Sequence, residues 1–250
     1  MENKTLISVV TVSYNAISTI EQTILSVISQ TYPDIEYIII DGGSTDGTVD
    51  IIKKYADRIA YWVSEPDKGI YDAMNKGIDK ATGEWINFMN CGDGFVADHT
   101  LYDVFKYSYD DSDVIFGNSF IEDEGICIEL PVQKPISKLR YYPIYRHGAS
   151  FVRTVVHRKH SFNLSKRYLG YALDFECIHK LYLSGFRFRK IDQYILRFPL
   201  EGISNHPLKN VYYDFLIGLD GSKTLYLYYI FIRRALGIIF KSLFVNIFGR

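Results

Sequence analysis

The sequence predicts an α/β protein with a mainly parallel central sheet and helices on both of its faces. Over the first hundred residues, short β-branched runs alternate with segments in which apolar residues recur at helical spacing, and this alternation is typical of a parallel sheet with crossover helices. The strand-like runs are apolar at successive positions, as expected of strands buried on both faces. The 250 residues, 48% of them hydrophobic, can form one large core. We therefore expect one main domain over residues 1–220 and a C-terminal tail over residues 221–250.

Four strands and three helices are predicted in the first half of the chain. Ser18 and Glu21 have the spacing of a capping box at the start of the first helix, and Pro33 should end that helix. The predicted strands are Leu6–Val12, Glu36–Ile40, Ile59–Val63 and Trp85–Met89, and the predicted helices are Ser18–Tyr32, Thr48–Tyr55 and Asp72–Ala81.

The second half of the chain is less regular. Residues 131–165 carry many aromatic and cationic side chains, among them Arg140, Arg146 and His147. Around this stretch we predict helices at Asp98–Tyr109 and Leu173–Leu183, strands at Val114–Gly117, Phe186–Ile191 and Tyr194–Phe198, and a hairpin at Phe120–Leu130.

The overall charge and the cysteines exclude several classes of function. The formal net charge is −1, which rules out a general basic nucleic-acid binder. Cys91, Cys127 and Cys177 are far apart and form no CxxC pair, which argues against a disulfide scaffold or a thiolate zinc site and fits a reducing compartment. The first ten residues lack the pattern of a secretory signal, so we expect a cytoplasmic protein.

The C-terminal tail is basic and apolar. From Gly221 to Arg250 there are five cations and no Asp or Glu. The apolar runs Leu225–Ile232 and Ala235–Phe240 are far shorter than the roughly 20 residues that span a bilayer. On a helix, Arg234 and Lys241 share one face, which predicts a helix lying in the membrane interface and attracted to anionic lipid, on the inner face of the plasma membrane. Packing on the body or on a second subunit is the alternative.

Polar residues follow the predicted strands where those strands end. In parallel sheets, ligands bind beyond the carboxyl ends of the strands. Asp41 follows the second strand and is suited to accept a hydrogen bond from a nucleobase or a ribose hydroxyl. Asp93 follows the fourth strand and is suited to hold Mg²⁺ or Mn²⁺ together with phosphate oxygens. The loop after Asp41 matches neither the P-loop nor the GxGxxG pattern.

The segments around these strand ends form a recognisable set. The strong matches to one family pattern are Ile7–Asn15, Gln30–Pro33, Tyr37–Thr48, Ser64–Gly77 and Ala81–Glu84, and the weaker ones are His147, Ala172–Glu176 and Gly202–Ser204. In these segments the sequence resembles family 2 glycosyltransferases. The resemblance implies a GT-A fold, a nucleotide-sugar donor, a divalent cation, and inversion at the anomeric carbon. The sub-pattern is similar to that of bacterial transferases for capsule, exopolysaccharide or O-antigen, which implies a glycan or lipid-linked acceptor.

The resemblance also implies roles for individual residues. Asp93 would hold the metal, Asp174 would be the catalytic base, and His147 would approach the leaving diphosphate or the acceptor. The residues implied in donor binding are Thr11, Tyr14, Asp41, Asp67, Lys68 and Asn90.

Two positions depart from the family pattern. Gly92 stands where the family often has the first of two adjacent acids, and Met74 stands where many members have Arg, so that Lys68 is a candidate for the missing contact. These departures favour, as an alternative, a non-catalytic or partner-dependent subunit that binds nucleotide sugar without efficient turnover. Retention of Asp93 and Asp174 favours the enzyme. A nucleotidyltransferase is disfavoured because no Gly-rich basic loop follows the first strand.

Two carboxylates, Asp174 and Glu176, compete for the role of base. On a helix, residues two apart point in nearly opposite directions, so one of them should face the site. Asp174 shares its face with apolar residues and needs a partner or a purpose, whereas Glu176 has a favourable pairing with Lys180 four residues on. We therefore predict a base at Asp174 with a raised pKa, and an exposed Glu176.

Overall fold

A computed structural model describes residues 5–123, 125–200, 206–221 and 224–248, with side chains described as far as residue 240. Within these residues nine strands form one sheet in the order β3-β2-β1-β4-β8-β6-β9-β5, and β7 pairs with β6. The strands are β1 Ile7–Ser13, β2 Ile35–Asp41, β3 Tyr61–Ser64, β4 Trp85–Phe88, β5 Gly94–Phe95, β6 Val114–Asp123, β7 Ile126–Leu130, β8 Ser150–Arg153 and β9 Phe188–Pro199. The helices are α1 Ile20–Ile28, α2 Thr48–Lys54, α3 Ile70–Lys80, α4 Thr100–Phe105, α5 Thr154–Lys159, α6 Leu173–Leu183, α7 Pro207–Gly221 and α8 Leu225–Phe248.

The first four strands form the predicted parallel sheet. β1 pairs in parallel with both β2 and β4, and β2 pairs in parallel with β3. All seven residues of β1 are buried, because the side chains of alternate residues enter two different cores. Val10 and Ile38 pack with α3 on one face, while Val9 and Ile39 pack with α1 on the other. The predicted fold class is confirmed.

The second half completes the sheet with mixed pairing. β6 and β9 are parallel, whereas β8 is antiparallel to both β4 and β6. The prediction of two strands at Phe186–Ile191 and Tyr194–Phe198 is wrong, because β9 runs through both. The pairing of β6 with β9 shifts register around Gly117, where a Cβ atom would lie 2.5 Å from the carbonyl oxygen of Gln193. A glycine at this point lets the two backbones approach and absorb the irregularity.

The predicted capping box is also wrong. α1 begins at Ile20 without a side-chain cap. The carboxylate of Glu21 instead accepts hydrogen bonds of 2.6 Å from Lys54 Nζ and from the Tyr55 hydroxyl. Glu21 therefore joins α1 to α2, and α1 ends at Ile28, several residues earlier than predicted.

The two C-terminal helices pack against each other and against the body. Gly218 of α7 lies against Leu227 of α8, where a Cβ atom would be 2.8 Å from the leucine Cδ1. Arg234 points inward and pairs with the buried Asp214 at 2.8 Å. The predicted basic face is therefore wrong for Arg234, and the side chain of Lys241 lies outside the described residues. None of the described helices combines the length and apolar character required to cross a membrane.

Candidate active site

Asp41 joins the carboxyl ends of three neighbouring strands. Its carboxylate accepts hydrogen bonds from the hydroxyls of Ser13, Ser44 and Ser64 and from the backbone N–H groups of Gly43 and Ser44. Burial alone would favour the neutral acid, but these hydrogen bonds outweigh it and hold the pKa of Asp41 below its usual range. Asp41 is 0% exposed, and its carboxylate holds the loop that follows; its contact with the donor stays a prediction.

The side chains of Tyr14 and Asp67 meet beside this loop. Tyr14 is 67% exposed at the end of β1. A Cβ atom on Gly42 would lie 2.5 Å from Asp67 Oδ2 and 3.3 Å from Tyr14 Cδ2, so both side chains lie over the bare backbone of Gly42. Asp67 is oriented by a hydrogen bond of 2.7 Å from the Gly69 N–H to its Oδ1, and the neighbouring Lys68 is exposed. The structure thus brings together Tyr14 and Asp67, two of the predicted donor-binding residues, and Lys68 follows Asp67 in the chain.

Thr11 is a buried residue of β1. Its side chain is 0% exposed, and its hydroxyl donates a hydrogen bond of 2.8 Å to the carbonyl oxygen of Met89. The same hydroxyl lies 3.0 Å from the hydroxyl of Tyr37. Thr11 therefore holds the backbone directly after β4, and its predicted contact with the donor stays a prediction.

The loop that carries Asp93 is held by its backbone. The Asp93 N–H donates to the carbonyl oxygen of Asn90 at 3.0 Å. The buried hydroxyl of Thr23 on α1 accepts from the Gly92 N–H at 3.0 Å and donates to the Asp93 carbonyl oxygen at 2.9 Å. The carboxylate of Asp93 has no part in these contacts and is left available for a ligand.

Asp93 and Asn90 offer oxygen ligands suited to a hard cation. No described residue donates a hydrogen bond to the Asp93 carboxylate, and burial raises its pKa to about 7 although the charge of Arg146 opposes the shift. The amide Oδ1 of Asn90 is buried without a hydrogen-bond partner in the described structure. In the described part of the chain, His, Cys, Asp and Glu form no group of three or more that could hold a metal. Mg²⁺ and Mn²⁺ bound to nucleotides need only one or two protein oxygens, so these two residues fit such an ion.

Asp174 lies at the first turn of α6, in the position predicted for a base. Burial raises its pKa to about 6, while a hydrogen bond from the Phe175 N–H and the charge of Arg146 oppose the shift. Glu176 is not exposed as predicted. It is 2% exposed, and its Oε1 lies 2.7 Å from Lys180 Nζ and 3.1 Å from Lys166 Nζ. The predicted pair with Lys180 exists, but the Glu176 side chain is buried instead of exposed.

Arg146 is the site residue that the sequence reasoning missed. Its guanidinium group lies 4.8 Å from the centre of the Phe198 ring. Its charge acts on both Asp93 and Asp174, since it opposes the rise in the pKa of each carboxylate. Its place directly before His147, one of the weaker family matches, was the signal in the sequence. We refer to the region around Arg146, Asp93 and Asp174 as the cleft, because the charge of Arg146 acts on both acids.

His147 is enclosed by aromatic rings. It stacks on Phe88 at 5.2 Å and meets Phe162 edge-on at 5.8 Å. Burial lowers its pKa to about 4, so the imidazole is neutral at pH 7. A neutral, stacked ring supports the neighbouring loop, and a role for His147 in the reaction stays a prediction.

These features agree with one family. The glycosyl transferase family 2 model matches residues 8–163, which is more than half of the 250 residues. The chain belongs to glycosyl transferase family 2. The match includes β2, which ends at Asp41, and the loop after β4 that carries Asp93. It ends before Asp174.

Several relatives within this family have bacterial sources. An uncharacterized glycosyltransferase of Mycobacterium tuberculosis is 43% identical over 96 residues, which cover 38% of this chain and 37% of the relative. A PGL/p-HBAD biosynthesis glycosyltransferase of the same species is 32% identical over 118 residues, covering 45% and 46%. A glycosyltransferase of Haemophilus influenzae is 28% identical over 224 residues, covering 86% and 88%. The matches to the mycobacterial relatives thus span less than half of those proteins.

Two solved structures have a similar fold. S. aureus TarS in complex with UDP-GlcNAc aligns with a TM-score of 0.66 at 20% identity, over 88% of this chain and 68% of that one. The mannosyltransferase PcManGT from Pyrobaculum calidifontis, in complex with GDP-Man and Mn²⁺, aligns with a TM-score of 0.68 at 18% identity, over 92% and 68%. At these identities the likeness concerns the fold, and the expected GT-A fold is confirmed.

The structure gives physical reasons for both departures from the family 2 pattern. Gly92 has a φ of +93°, a left-handed conformation that an acid would adopt only with strain. Met74 is 2% exposed and packs in the core against the sheet, so its side chain does not reach the cleft. The weaker match at Gly202–Ser204 lies outside the described residues.

Proposed function

We propose that this chain transfers a sugar from a nucleotide-diphosphate sugar to a hydroxyl group of a glycan or lipid-linked glycan, with inversion at the anomeric carbon. The observation that supports the proposal is that the carboxylates of Asp93 and Asp174 are both close enough to Arg146 to be affected by its charge. Asp93 and Asp174 both have raised pKa values, of about 7 and about 6, and both feel the charge of Arg146. Two acids in different surroundings at one cleft are typical of a site that divides ligand binding and proton transfer between them.

The surface that Tyr14 and Asp67 form over Gly42 is the proposed nucleoside site. The exposed ring of Tyr14 offers a flat apolar surface for a base, and the oriented carboxylate of Asp67 offers an acceptor for a base N–H or a ribose hydroxyl. Lys68 stands next to it as a cation for phosphate. The similarity in fold to proteins solved with UDP-GlcNAc and GDP-Man supports a nucleotide-diphosphate sugar as the donor class.

The proposed reaction is a single displacement. The acceptor oxygen forms a bond to the anomeric carbon while the bond from that carbon to the β-phosphate oxygen breaks, and the electron pair leaves with the diphosphate. Asp174 accepts the proton of the acceptor hydroxyl. With a pKa of about 6, it is mostly ionised at pH 7 and is still a stronger base than an ordinary aspartate. Mg²⁺ or Mn²⁺ held by Asp93 and Asn90 would supply positive charge to the diphosphate.

A panel of nucleotide sugars tests this proposal. Wild type, Asp93→Ala and Asp174→Asn are incubated with UDP- and GDP-sugars and with Mg²⁺ or Mn²⁺, and thermal stabilisation and release of nucleoside diphosphate are measured. We expect wild type to be stabilised by one donor and to hydrolyse it slowly in a metal-dependent way. Asp174→Asn should keep the stabilisation and lose the release. If no donor stabilises wild type, the proposed donor class is wrong.

The non-catalytic alternative is favoured by one observation, the single acid in the metal loop, where Gly92 stands in place of the first of the usual two. A wild-type chain that binds donor and metal, but neither hydrolyses the donor nor transfers to glycan or lipid-linked acceptors, would establish this alternative. The same panel thus separates the two functions.

We also propose that the outer face of α8 rests on an anionic membrane surface. Leu227 and Ile230 pack inward, while Tyr229 and Ile232 are exposed by 59% and 54%. Arg233 is exposed among them, and the segment after Gly221 has no acid. An apolar face with only basic charges suits anionic lipid. Two copies of such a segment would repel each other, which disfavours a dimer on this face.

Vesicle binding tests the membrane proposal. Ile232→Ser with Leu236→Ser should weaken co-sedimentation with phosphatidylglycerol vesicles by roughly tenfold or more, because two apolar side chains are lost from the contact. A matched control is Ile126→Ser, which removes an apolar side chain exposed by 65% on β7. Equal vesicle binding by all variants, or a stable dimer that ignores vesicles, would contradict the proposal.

A further inference from the structure

We propose that Arg146 binds the β-phosphate of the leaving diphosphate, as a catalytic residue that offsets the lack of a second acid and of the family arginine in this chain. The inference rests on the proposed donor class. It goes further because it proposes that a residue outside the segments that resemble the family pattern stabilises the negative charge of the leaving diphosphate.

The backbone presents Arg146 to the cleft. Its conformation is extended, with φ −83° and ψ 138°, so its side chain points away from those of its neighbours. Tyr145 on one side is buried and stacks on Phe116 at 4.3 Å, and His147 on the other side stacks on Phe88. These two anchored rings fix the loop and leave Arg146 as the exposed residue between them.

The guanidinium group lies next to the metal loop. It sits 4.8 Å from the centre of the Phe198 ring, near the end of β9. The following residue, Pro199, contacts Gly92, where a Cβ atom would be 3.7 Å from the proline Cγ. Arg146 is thereby beside the loop that presents Asp93, and its charge acts on the Asp93 carboxylate.

The donor groups of Arg146 are free for a ligand. No described acid lies within ion-pair distance of it. Asp93 and Asp174 both favour its charged form, although the surrounding protein lowers its pKa. Both acids attract the guanidinium group, but neither forms an ion pair with it. Such a guanidinium group is suited to a bidentate contact with phosphate. Stacking on Phe198 limits its motion and reduces the entropy lost on binding.

The charge balance of the site gives Arg146 a purpose. Met74 is buried and apolar, and Gly92 has no side chain, so the cleft lacks one cation and one acid of the usual pattern. During the reaction the β-phosphate oxygen takes up the electron pair of the breaking bond and gains a negative charge. A fixed guanidinium at that oxygen stabilises the charge more in the transition state than in the bound donor.

Paired nucleotides test this inference. The affinities of UDP and UMP, and of GDP and GMP, are measured by calorimetry for wild type, Arg146→Gln and Arg146→Lys. Arg146→Gln should weaken the diphosphate that wild type binds by roughly 10- to 100-fold, as expected for loss of a charged hydrogen bond. It should leave the monophosphate within about threefold, because a monophosphate has no β-phosphate. Arg146→Lys should fall between the two, since it keeps the charge without the fork.

A control on the same sheet isolates the effect of position. Arg189 also lies over an aromatic ring, at 5.4 Å from the centre of Tyr109, but it precedes Phe198 by nine residues, or roughly 30 Å of extended strand. Arg189→Gln should change no nucleotide affinity. Equal weakening of diphosphate and monophosphate by Arg146→Gln, or unchanged affinity with reduced turnover, would overturn the inference. If wild type binds neither UDP nor GDP, the proposed donor class itself fails, and this inference fails with it.

Discussion

Asp174→Asn should abolish transfer and at the same time stabilise the protein at alkaline pH. Folding raises the pKa of Asp174 from 3.8 to about 6, so the folded state favours the neutral acid. The contribution of this group to stability is therefore fully present below about pH 4 and is lost as the pH rises through about 6. At 1.36 kcal/mol per pH unit the loss is roughly 3 kcal/mol, and partial solvent contact should reduce it to roughly 1–2 kcal/mol.

The assay compares urea unfolding of wild type and Asp174→Asn at pH 5 and pH 8. Asparagine cannot ionise, so the variant should gain roughly 1–2 kcal/mol relative to wild type at pH 8 and less at pH 5. Transfer should fall by roughly a hundredfold or more, because the general base is gone. Wild-type kcat/KM should rise with pH through about 6 as Asp174 ionises. A variant that is less stable than wild type at pH 8, or that keeps its transfer activity, would refute the reasoning.

Glu176→Gln is the matched control on the same helix. Its carboxylate is buried against Lys166 and Lys180, whose side chains are 23% and 45% exposed. The variant should therefore lose roughly 1–2 kcal/mol of stability, which is less than the roughly 3–5 kcal/mol for one partner of a fully buried pair. Transfer should stay within a few-fold of wild type. The two substitutions should therefore have opposite effects. Asp174→Asn should lose transfer and gain stability at pH 8, whereas Glu176→Gln should keep transfer and lose stability.

Two further substitutions test other parts of the site. Asp93→Ala should be at least as stable as wild type, because the loop is held by backbone contacts to Thr23 and Asn90 and burial disfavours the Asp93 charge. The variant should lose metal-dependent donor turnover; near-normal turnover with added Mn²⁺ would count against the metal site. Gly42→Ala should fold and bind donor at least tenfold more weakly, because its Cβ would lie 2.5 Å from Asp67 Oδ2 and displace that carboxylate. Unchanged calorimetric affinity for the donor would contradict the nucleoside site proposed at Tyr14 and Asp67.

The first half of the fold could be predicted because local and global signals agree there. The run Ile7–Ser13 is buried at every position, and a continuous apolar run of strand length has few other solutions in a parallel sheet. The polar strand ends then place Asp41 and Asp93 at one edge by topology alone. Leu173–Leu183 was also predicted with the observed bounds, because its helical pattern is uninterrupted.

The parts that were missed depend on contacts between distant segments. Arg146 is brought to the cleft by Phe198, and no local pattern pairs these two residues. Glu176 is buried because Lys166, ten residues earlier, also reaches it, whereas the sequence indicated only the pair with Lys180. Arg234 points inward because Asp214 of the preceding helix is buried opposite it. In each case the partner is set by tertiary packing, which periodicity does not report.

The stereochemistry of transfer tests the central claim most directly. In the proposed single displacement, Asp174 removes the acceptor proton and no sugar is bound covalently to the protein. With an α-linked nucleotide sugar as donor, proton NMR of the first product formed should show a β-linked sugar, and Asp174→Asn should form almost none. An α-linked product, or a covalent glycosyl adduct of the chain detected by mass spectrometry, would contradict the inverting single displacement.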